Sequence, residues 1–274
     1  MYYFPPSILP KIETLRHKEN FAVDLGHGEV LFTFSSAKPL NRKIPESAAE
    51  IVRYLWPYRK CVDHSFAAEF FWCNAPKRLP PPGQVLEEDH VNTGYSFPCK
   101  SLVVYRQQEW FKVFIHECFH YLGLDKGVSE KMHLDMFTIP IKVSIREAYC
   151  ETWARLIQSD YLGGLATERN YAVANMVRVL RHMGLTYADL WGERARNYAE
   201  ETNVFAYVVL TAILLHDPPQ FIKASPRFEC SVPKLLQLIR TNYQAPPFLQ
   251  RVMKAESEPS ESGPFHMSGI EFTC

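Results

Sequence analysis

Apolar and polar positions follow different periods in the two halves of this 274-residue chain. In the first half, short alternating or aromatic runs bounded by Gly and Pro predict strands. A glycine turn between residues 21–25 and 29–34 predicts a β-hairpin. Further strands are predicted at residues 67–72, 91–97 and 101–106. In the second half, apolar residues recur mainly at helical spacing. The pattern therefore predicts an α+β protein with a small mixed sheet near its N-terminus and a mostly helical C-terminal half.

Helical spacing first occurs at residues 45–56, where Pro45 lies in the first turn and Pro57 follows the last residue. The pattern at residues 110–122 predicts a second, more apolar helix. Gly123 follows it and can adopt the left-handed conformation that commonly ends a helix. Further helices are predicted at residues 144–162, 171–183, 204–215 and 233–243.

These elements predict one folded unit with three parts. Residues 1–106 form an α/β part, residues 107–253 form a helical part, and the polar, Pro- and Ser-containing residues 254–274 form a mobile tail. The helix at residues 110–122 lies at the junction of the first two parts.

Composition narrows the classes of partner. Lys plus Arg and Asp plus Glu are both 30, so no net charge favours nucleic acid or an anionic membrane. The most apolar segment, residues 204–215, is shorter than the roughly 20 residues that a membrane-spanning helix needs. The sequence therefore predicts neither a nucleic-acid nor a membrane partner.

Cysteine usage and the N-terminus predict the compartment. The seven cysteines are odd in number and form no C-x-x-C pair, which is typical of free thiols in a reducing environment. The first residues lack the basic and apolar regions of a signal peptide. We therefore expect an intracellular protein.

One pentapeptide, His116-Glu117-Cys118-Phe119-His120, carries residue types typical of catalytic zinc. It lies in the apolar helix predicted at residues 110–122, where side chains four residues apart project from the same face. The two imidazoles can therefore bind one metal ion. Glu117 lies about 100° round the helix from His116, outside the ligand pair, where it can act on a water held by the metal.

Catalytic zinc usually takes three protein ligands, so a third must lie elsewhere. A metzincin-like extension is disfavoured, because Lys126 occupies the ligand position and Asp125 comes one residue early. The helix at residues 144–162 offers Glu147 and Glu151, which share a face. We predict that Glu147 is the third ligand of one Zn²⁺. Glu151 is then expected to accept a hydrogen bond from the far ring nitrogen of a ligating histidine.

Each of these assignments has an alternative. Ser144 and Glu147 have the spacing of a capping box, in which the Glu147 carboxylate would accept a hydrogen bond from the Ser144 backbone N–H. Glu151 would then be the next candidate ligand. Cys118 faces away from the two histidines and is predicted to fill the core. His216 is a candidate donor to the oxyanion, although a histidine at a helix C-terminus can also have a purely structural role.

The two motifs, His116-Glu117-x-x-His120 and Glu147-x-x-x-Glu151-x-x-Ala154, together resemble the gluzincin type of zincin metallopeptidase. The resemblance implies a zincin-like fold and a zinc ion on two histidines and a glutamate. Glu151 stands where many such peptidases have aspartate. Their downstream oxyanion donor is a histidine or tyrosine, for which His216, Tyr198 and Tyr207 are candidates.

Residues 70–154 are also similar to uncharacterised metallopeptidases encoded by large double-stranded DNA viruses. The similarity lies in residues 77–80, 91–94, 105–106 and 110–117. It implies a location in the host cytoplasm or the virion.

The sequence thus predicts a zinc metallopeptidase in which Glu117 is the general base and acid for peptide hydrolysis. A peptide or protein substrate would lie along the strand preceding the active helix, at Asn92 to Ser96, with Asn92 and Gly94 as edge residues.

Two alternatives are compatible with the same residues. The first is a structural or virion-associated protein that has a metallopeptidase-like fold without activity. The second is a zinc amidase or carboxypeptidase, for which Arg106, Lys112 or Arg155 would hold a terminal carboxylate.

Overall fold

The computed structural model describes residues 2–25, 28–61, 65–128, 131–259 and 263–272. Its strands are β1 (His17–Asp24), β2 (Glu29–Ser36), β3 (Ser65–Phe71), β4 (Gly94–Phe97) and β5 (Ser101–Val104). They form one mixed sheet in the order β1-β2-β3-β5-β4. The outer pairs β1–β2 and β4–β5 are antiparallel, whereas β2–β3 and β3–β5 are parallel.

Ten α-helices occur within the described ranges, and the protein is therefore α+β. They are α1 (Leu9–Ile12), α2 (Lys43–Leu55), α3 (Glu88–Val91), α4 (Trp110–Tyr121), α5 (Ile145–Leu162), α6 (Leu165–His182), α7 (Thr211–Leu214), α8 (Pro218–Ala224), α9 (Val232–Asn242) and α10 (Pro246–Ser257). A π-helical segment, Phe205–Leu210, immediately precedes α7.

Most of the predicted elements are present with shifted ends. The hairpin is confirmed, with Asp24 opposite Glu29 across the turn; its turn residues Gly26 and His27 lie outside the described residues. The helix predicted at residues 171–183 begins earlier, at Leu165. The apolar segment at residues 204–215 differs most, because its first part is π-helical rather than α-helical.

The chain divides into two compact units that cross the predicted boundaries. The sheet unit contains Met1–Pro76, Asn92–Lys126 and Glu271–Cys274, and the helical unit contains Lys77–Val91 and Gly127–Ile270. Helix α4 was predicted to begin the helical part, but it belongs to the sheet unit because its apolar side chains pack on the sheet.

Aromatic residues form the packing between α4 and the sheet. The Phe114 ring lies 6.0 Å from that of Phe32, 6.3 Å from Phe66 and 5.4 Å from Phe70. All twelve residues of α4 are buried, including the charged and imidazole side chains. The helix therefore has no solvent-exposed face.

The other face of the sheet is covered by the N-terminal segment. Ile8 is fully buried in a cluster with Val103 and Tyr105, and Phe4 packs against the same cluster. Because neighbouring residues on a strand face opposite sides, Phe70 contacts α4 whereas Phe71 contacts Phe4.

A disulfide joins Cys61 to Cys99, which are 38 residues apart, so the prediction of free thiols was wrong for this pair. Sequence spacing could not reveal it, because the two loops meet only at the end of α4. The Cys99 N–H donates to the Tyr121 carbonyl at 2.9 Å and the Lys60 N–H donates to the Leu122 carbonyl at 2.8 Å. These bonds satisfy carbonyls that a helix C-terminus leaves without intrahelical donors. The disulfide is weakly at odds with the reducing compartment that the sequence predicts.

A buried ion network lies between α5 and α6 in the helical unit. Arg155 donates to Glu151 and to Glu168, each at 3.0 Å, and all three side chains are at most 2% exposed. Glu168 also accepts from the Ser268 hydroxyl and the Gly269 N–H, both at 2.9 Å. The network therefore connects the two helices to the C-terminal segment.

The predicted tail at residues 254–274 contains more ordered contacts than its composition suggests. Helix α10 continues to Ser257, and Phe265 and Met267 are buried. The Phe265 N–H donates to the Lys77 carbonyl at 2.8 Å. Pairing with side chains of α5 and α6 supplies the partners that this polar segment lacks locally.

No single helix among the described residues is both long and apolar enough to cross a membrane. Two consecutive helical segments, Phe205–Leu214 and Pro218–Ala224, meet those criteria when they are taken together, but the chain bends by 102° between them.

Glu200 holds the start of the π-helical segment. Its Oε2 accepts from the Phe205 N–H at 2.7 Å and from the Tyr198 hydroxyl at 2.8 Å. Burial raises the pKa of Glu200 from 4.5 to about 7, although these two donors act in the opposite direction. The carboxyl group is therefore poised to change its charge near neutral pH.

We expect removal of the disulfide to destabilise the protein without unfolding it. Replacing Cys61 and Cys99 by Ser frees a 38-residue loop, which should lower the free energy of unfolding by about 2 to 4 kcal/mol. Urea unfolding measures this loss, and Cys230→Ser, which replaces a free thiol, is the matched control. Equal stability of the double variant and the control would contradict the disulfide.

Glu200 should make stability fall as pH rises from about 4.5 to about 7. The folded state keeps the Glu200 proton across this window whereas the unfolded chain releases it, so the folded state binds more protons and loses stability with increasing pH. Glu200→Gln can accept the same two hydrogen bonds but cannot titrate. Urea unfolding at several pH values should show a weaker decrease for the variant, and identical slopes would rule out this role.

Candidate metal centre

Helix α4 brings His116 and His120 together on one face. Their Nε2 atoms lie 3.1 Å apart and both side chains are buried. This proximity follows from the four-residue spacing on a helix. Two bonds of 2.0–2.1 Å to a tetrahedral zinc would place the two nitrogens about 3.3 Å apart. The histidine pair therefore fits zinc coordination with little adjustment.

Asp125 orients the second histidine. Its Oδ2 lies 2.6 Å from His120 Nδ1, and the carboxylate is 5% exposed. The chain returns towards α4 because Gly123 has a φ of +69°, a conformation that glycine adopts easily. A carboxylate on Nδ1 favours the tautomer whose Nε2 carries a free lone pair, as a metal ligand requires.

The sequence therefore contains a signal for this contact. As a metzincin ligand, Asp125 lies one residue early. The structure instead places it beside the far nitrogen of His120, which is the role that had been predicted for Glu151. A carboxylate five residues after the second histidine, beyond a glycine turn, was the signal that could have identified it.

Glu117 lies on a different side of α4 and faces strand β4. Its Oε2 accepts from the Ser96 hydroxyl at 2.7 Å, and the side chain is 8% exposed. The sequence pattern predicts for Ser96 only that it is the last residue of the substrate strand. Nothing in the local pattern indicates this contact, because 21 residues separate the two side chains.

The predicted substrate strand is at the edge of the sheet. Strand β4 pairs with β5 alone among the described strands, and Gly94 lies opposite Val104. Asn92 precedes the strand and is half-buried. The geometry thus leaves one side of β4 without a strand neighbour within the described part of the chain.

Glu147 lies in the first turn of α5, within the helical unit. Its N–H donates to the Ser144 hydroxyl at 3.2 Å, so the predicted N-cap is present. The Glu147 carboxylate is half-buried and accepts from the Tyr207 hydroxyl at 3.2 Å. Capping therefore uses the backbone of Glu147, whereas its carboxylate makes a separate contact with Tyr207.

Glu151, one turn further along α5, is 2% exposed and accepts from Arg155 Nε at 3.0 Å. Its predicted bond to a ligating histidine remains a prediction. The ion pair with Arg155 gives a separate physical reason for a carboxylate at this position, because a buried charge requires a partner.

The candidate oxyanion donors have different surroundings. Tyr198 is buried and its hydroxyl donates to Glu200 at 2.8 Å. His216 Nδ1 lies against the Arg251 guanidinium, and burial, followed by the charges of Arg251 and Arg169, lowers the pKa of His216. Tyr207, in the π-helical segment, is the candidate whose hydroxyl contacts Glu147.

Cys118, inside the motif, fills the core as predicted. Its side chain is fully buried, and desolvation raises the pKa of the thiol well above its usual range. A neutral thiol in an apolar position is poorly suited to metal binding.

Comparisons of the chain with protein-family models, with curated proteins and with solved structures find no match.

Proposed function

We propose that this protein is a zinc-dependent metallopeptidase with a zincin-like, gluzincin-type site. The observation that supports it most directly is the arrangement on α4. Two histidine Nε2 atoms lie 3.1 Å apart, and a separate buried glutamate lies on the same helix. We propose that His116, His120 and Glu147 hold one Zn²⁺, the last of these being supported by the sequence motif and by the chemistry of its carboxylate.

When bound, zinc would activate a water molecule for attack and polarise the scissile carbonyl. Glu117 is the proposed general base: it takes a proton from the water and then delivers it to the nitrogen of the leaving amine. Because Ser96 already bonds Oε2 of Glu117, the other carboxylate oxygen is the one proposed to move the proton. Burial of the carboxylate limits competing contacts with bulk water.

Tyr207 is the proposed donor to the oxyanion in place of His216. Its single hydroxyl proton is donated to the proposed ligand Glu147 and would turn to the oxyanion during the reaction. His216 instead has Nδ1 directed at Arg251, and its carbonyl accepts from Arg169. A neutral phenol can donate a hydrogen bond to developing negative charge without changing its own charge.

A peptide substrate is proposed to bind as an additional strand beside β4. The position of β4 at the sheet edge supports this mode, because main-chain N–H and C=O groups along an edge can pair with an extended peptide. Gly94 and the preceding Asn92 remain the proposed edge residues.

The structural alternative is less well supported than catalysis. A purely structural zinc site needs no acidic residue next to its ligands, and burying one without a role costs free energy. Glu117 is nevertheless buried and held by a hydrogen bond from Ser96. Such positioning is expected of a group that moves a proton.

The amidase or carboxypeptidase alternative required a free cation for a terminal carboxylate. Arg106 is 2% exposed and donates to the Ala75 carbonyl at 2.9 Å. Arg155 is 1% exposed and paired with Glu151 and Glu168. Lys112 is 3% exposed within α4. Their burial favours internal roles for all three side chains.

The proposed location is the virion or the host cytoplasm, as the resemblance to viral enzymes implies. The Cys61–Cys99 disulfide favours the virion of these two, because disulfides persist on particles outside the reducing cytosol.

We expect protein purified without chelators to contain one zinc ion per chain. His116→Ala and Glu147→Gln should each lower the zinc content after dialysis well below one, because two protein ligands hold zinc weakly. The exposed His133 provides a matched control, and His133→Ala should retain the metal. Inductively coupled plasma mass spectrometry measures the content. Full zinc content in Glu147→Gln would reject Glu147 as the ligand, and absence of zinc uptake by the wild type would favour the structural alternative.

Glu117→Gln should keep the zinc but reduce peptide hydrolysis by at least about 100-fold, since the amide cannot take the proton from water. A random-sequence peptide library analysed by mass spectrometry provides the assay and reports internal and terminal cleavage alike. Wild-type protein treated with a chelator and then reloaded with zinc is the control for recovery. Equal turnover by Glu117→Gln and the wild type would reject the proposed mechanism.

A further inference from the structure

The bond between Ser96 and Glu117 links the proposed base to the proposed substrate strand. The Ser96 hydroxyl donates to Glu117 Oε2 at 2.7 Å, which is the length expected for a hydroxyl bonded to a carboxylate. Ser96 is half-buried and Glu117 is 8% exposed. The bond is therefore largely shielded from water, which would otherwise compete for the carboxylate.

Strand alternation explains why Ser96 reaches α4. Successive side chains on β4 face opposite sides of the sheet. Tyr95 and Phe97 pack together with ring centroids 5.8 Å apart, and the Tyr95 hydroxyl accepts from the Tyr3 N–H on the side of the N-terminal segment. Gly94 and Ser96 consequently face α4.

Gly94 allows β4 to approach the helix closely. A Cβ atom at this position would lie 2.6 Å from the Val103 carbonyl oxygen and 3.1 Å from Val113 Cγ1. The first distance is too short for any side chain, so this approach requires glycine. Close packing two residues before Ser96 therefore determines the separation between the Ser96 hydroxyl and α4.

We propose that Ser96 is a positioning residue for the catalytic base, an inference that rests on the proposed function. Its hydroxyl occupies Oε2 of Glu117 and keeps the carboxylate in one rotamer, so Oε1 receives the proton from water. The proton then passes from Oε1 to the leaving nitrogen, and the Ser96 O–H bond stays intact throughout. Because Ser96 lies on β4, the same strand orients both the base and the bound peptide.

This arrangement links the position of the catalytic base to the register in which a peptide pairs with β4. A peptide added to β4 would be held by main-chain groups of the strand whose side chain holds Glu117. Small misplacements of a catalytic group can lower the rate by about 100-fold. The Ser96 bond would therefore keep Glu117 aligned with a scissile bond that is held on the same strand.

The decisive experiment compares Ser96→Ala with Ser96→Thr, using the random-sequence peptide library and a peptide identified from it. Ser96→Ala should lower kcat by about 10- to 100-fold, with KM changed by less than about 2-fold because main-chain pairing is retained. Ser96→Thr keeps the hydroxyl and should restore most of the rate. Ser101→Ala, on the neighbouring strand β5, is the matched control, and all variants should retain zinc.

A double-variant comparison tests whether Ser96 acts through Glu117. If it does, Ser96→Ala should cause no further loss in a Glu117→Gln background, because the group that it positions is already disabled. An additional loss of the full 10- to 100-fold would show that Ser96 acts independently and would overturn the inference.

A crystal structure of each variant supplies a measurement that does not depend on turnover. Glu117 should adopt more than one rotamer in Ser96→Ala and a single rotamer in Ser96→Thr. An unchanged Glu117 rotamer in Ser96→Ala would overturn the inference. The inference would also be overturned if Glu117→Gln were inactive while Ser96→Ala kept the wild-type kcat. That result would leave the proposed function intact. Activity retained in Glu117→Gln would instead reject the proposed function itself.

Discussion

Complete burial of α4 is the constraint on which the sheet unit depends. All twelve residues of this helix are enclosed, yet the helix carries two imidazoles and a carboxylate. Polar groups in such surroundings need partners, because an unpaired buried group costs about 1 to 3 kcal/mol. Asp125 supplies one partner and Ser96 supplies another. The requirement for satisfied polar groups therefore also orients the side chains that would perform the chemistry.

Packing on both faces of the sheet makes that orientation rigid. Phenylalanine side chains fill the space between β2, β3 and α4, and the N-terminal segment covers the opposite face. The end of α4 is held by backbone bonds from the loops that contain Cys61 and Cys99. Side chains on a helix that is held at its end and along its length can be positioned more accurately than side chains on a loop.

The helical unit satisfies its own buried charges by different means. Arg155 shares its donors between Glu151 and Glu168, and Glu168 accepts from the C-terminal segment as well. Removing one member of such a network would leave an unpaired buried charge. In contrast, Glu147 is half-buried and bonded to the neutral Tyr207 hydroxyl. The two glutamates on α5 therefore lie in different surroundings, with a buried guanidinium beside Glu151 and a phenol hydroxyl beside Glu147.

Sequence periodicity determined the α+β class, the hairpin and the position of α4, because these features depend on patterns within about twenty residues. The motif itself determined that His116 and His120 share a face and that Glu117 does not. Local rules could not identify Asp125 as the partner of His120, since its function depends on a turn at Gly123. They could not identify the Cys61–Cys99 disulfide, the π-helical segment or the Ser96–Glu117 bond either. Those features arise where distant segments pack together, and only the tertiary structure decides which buried group meets which partner.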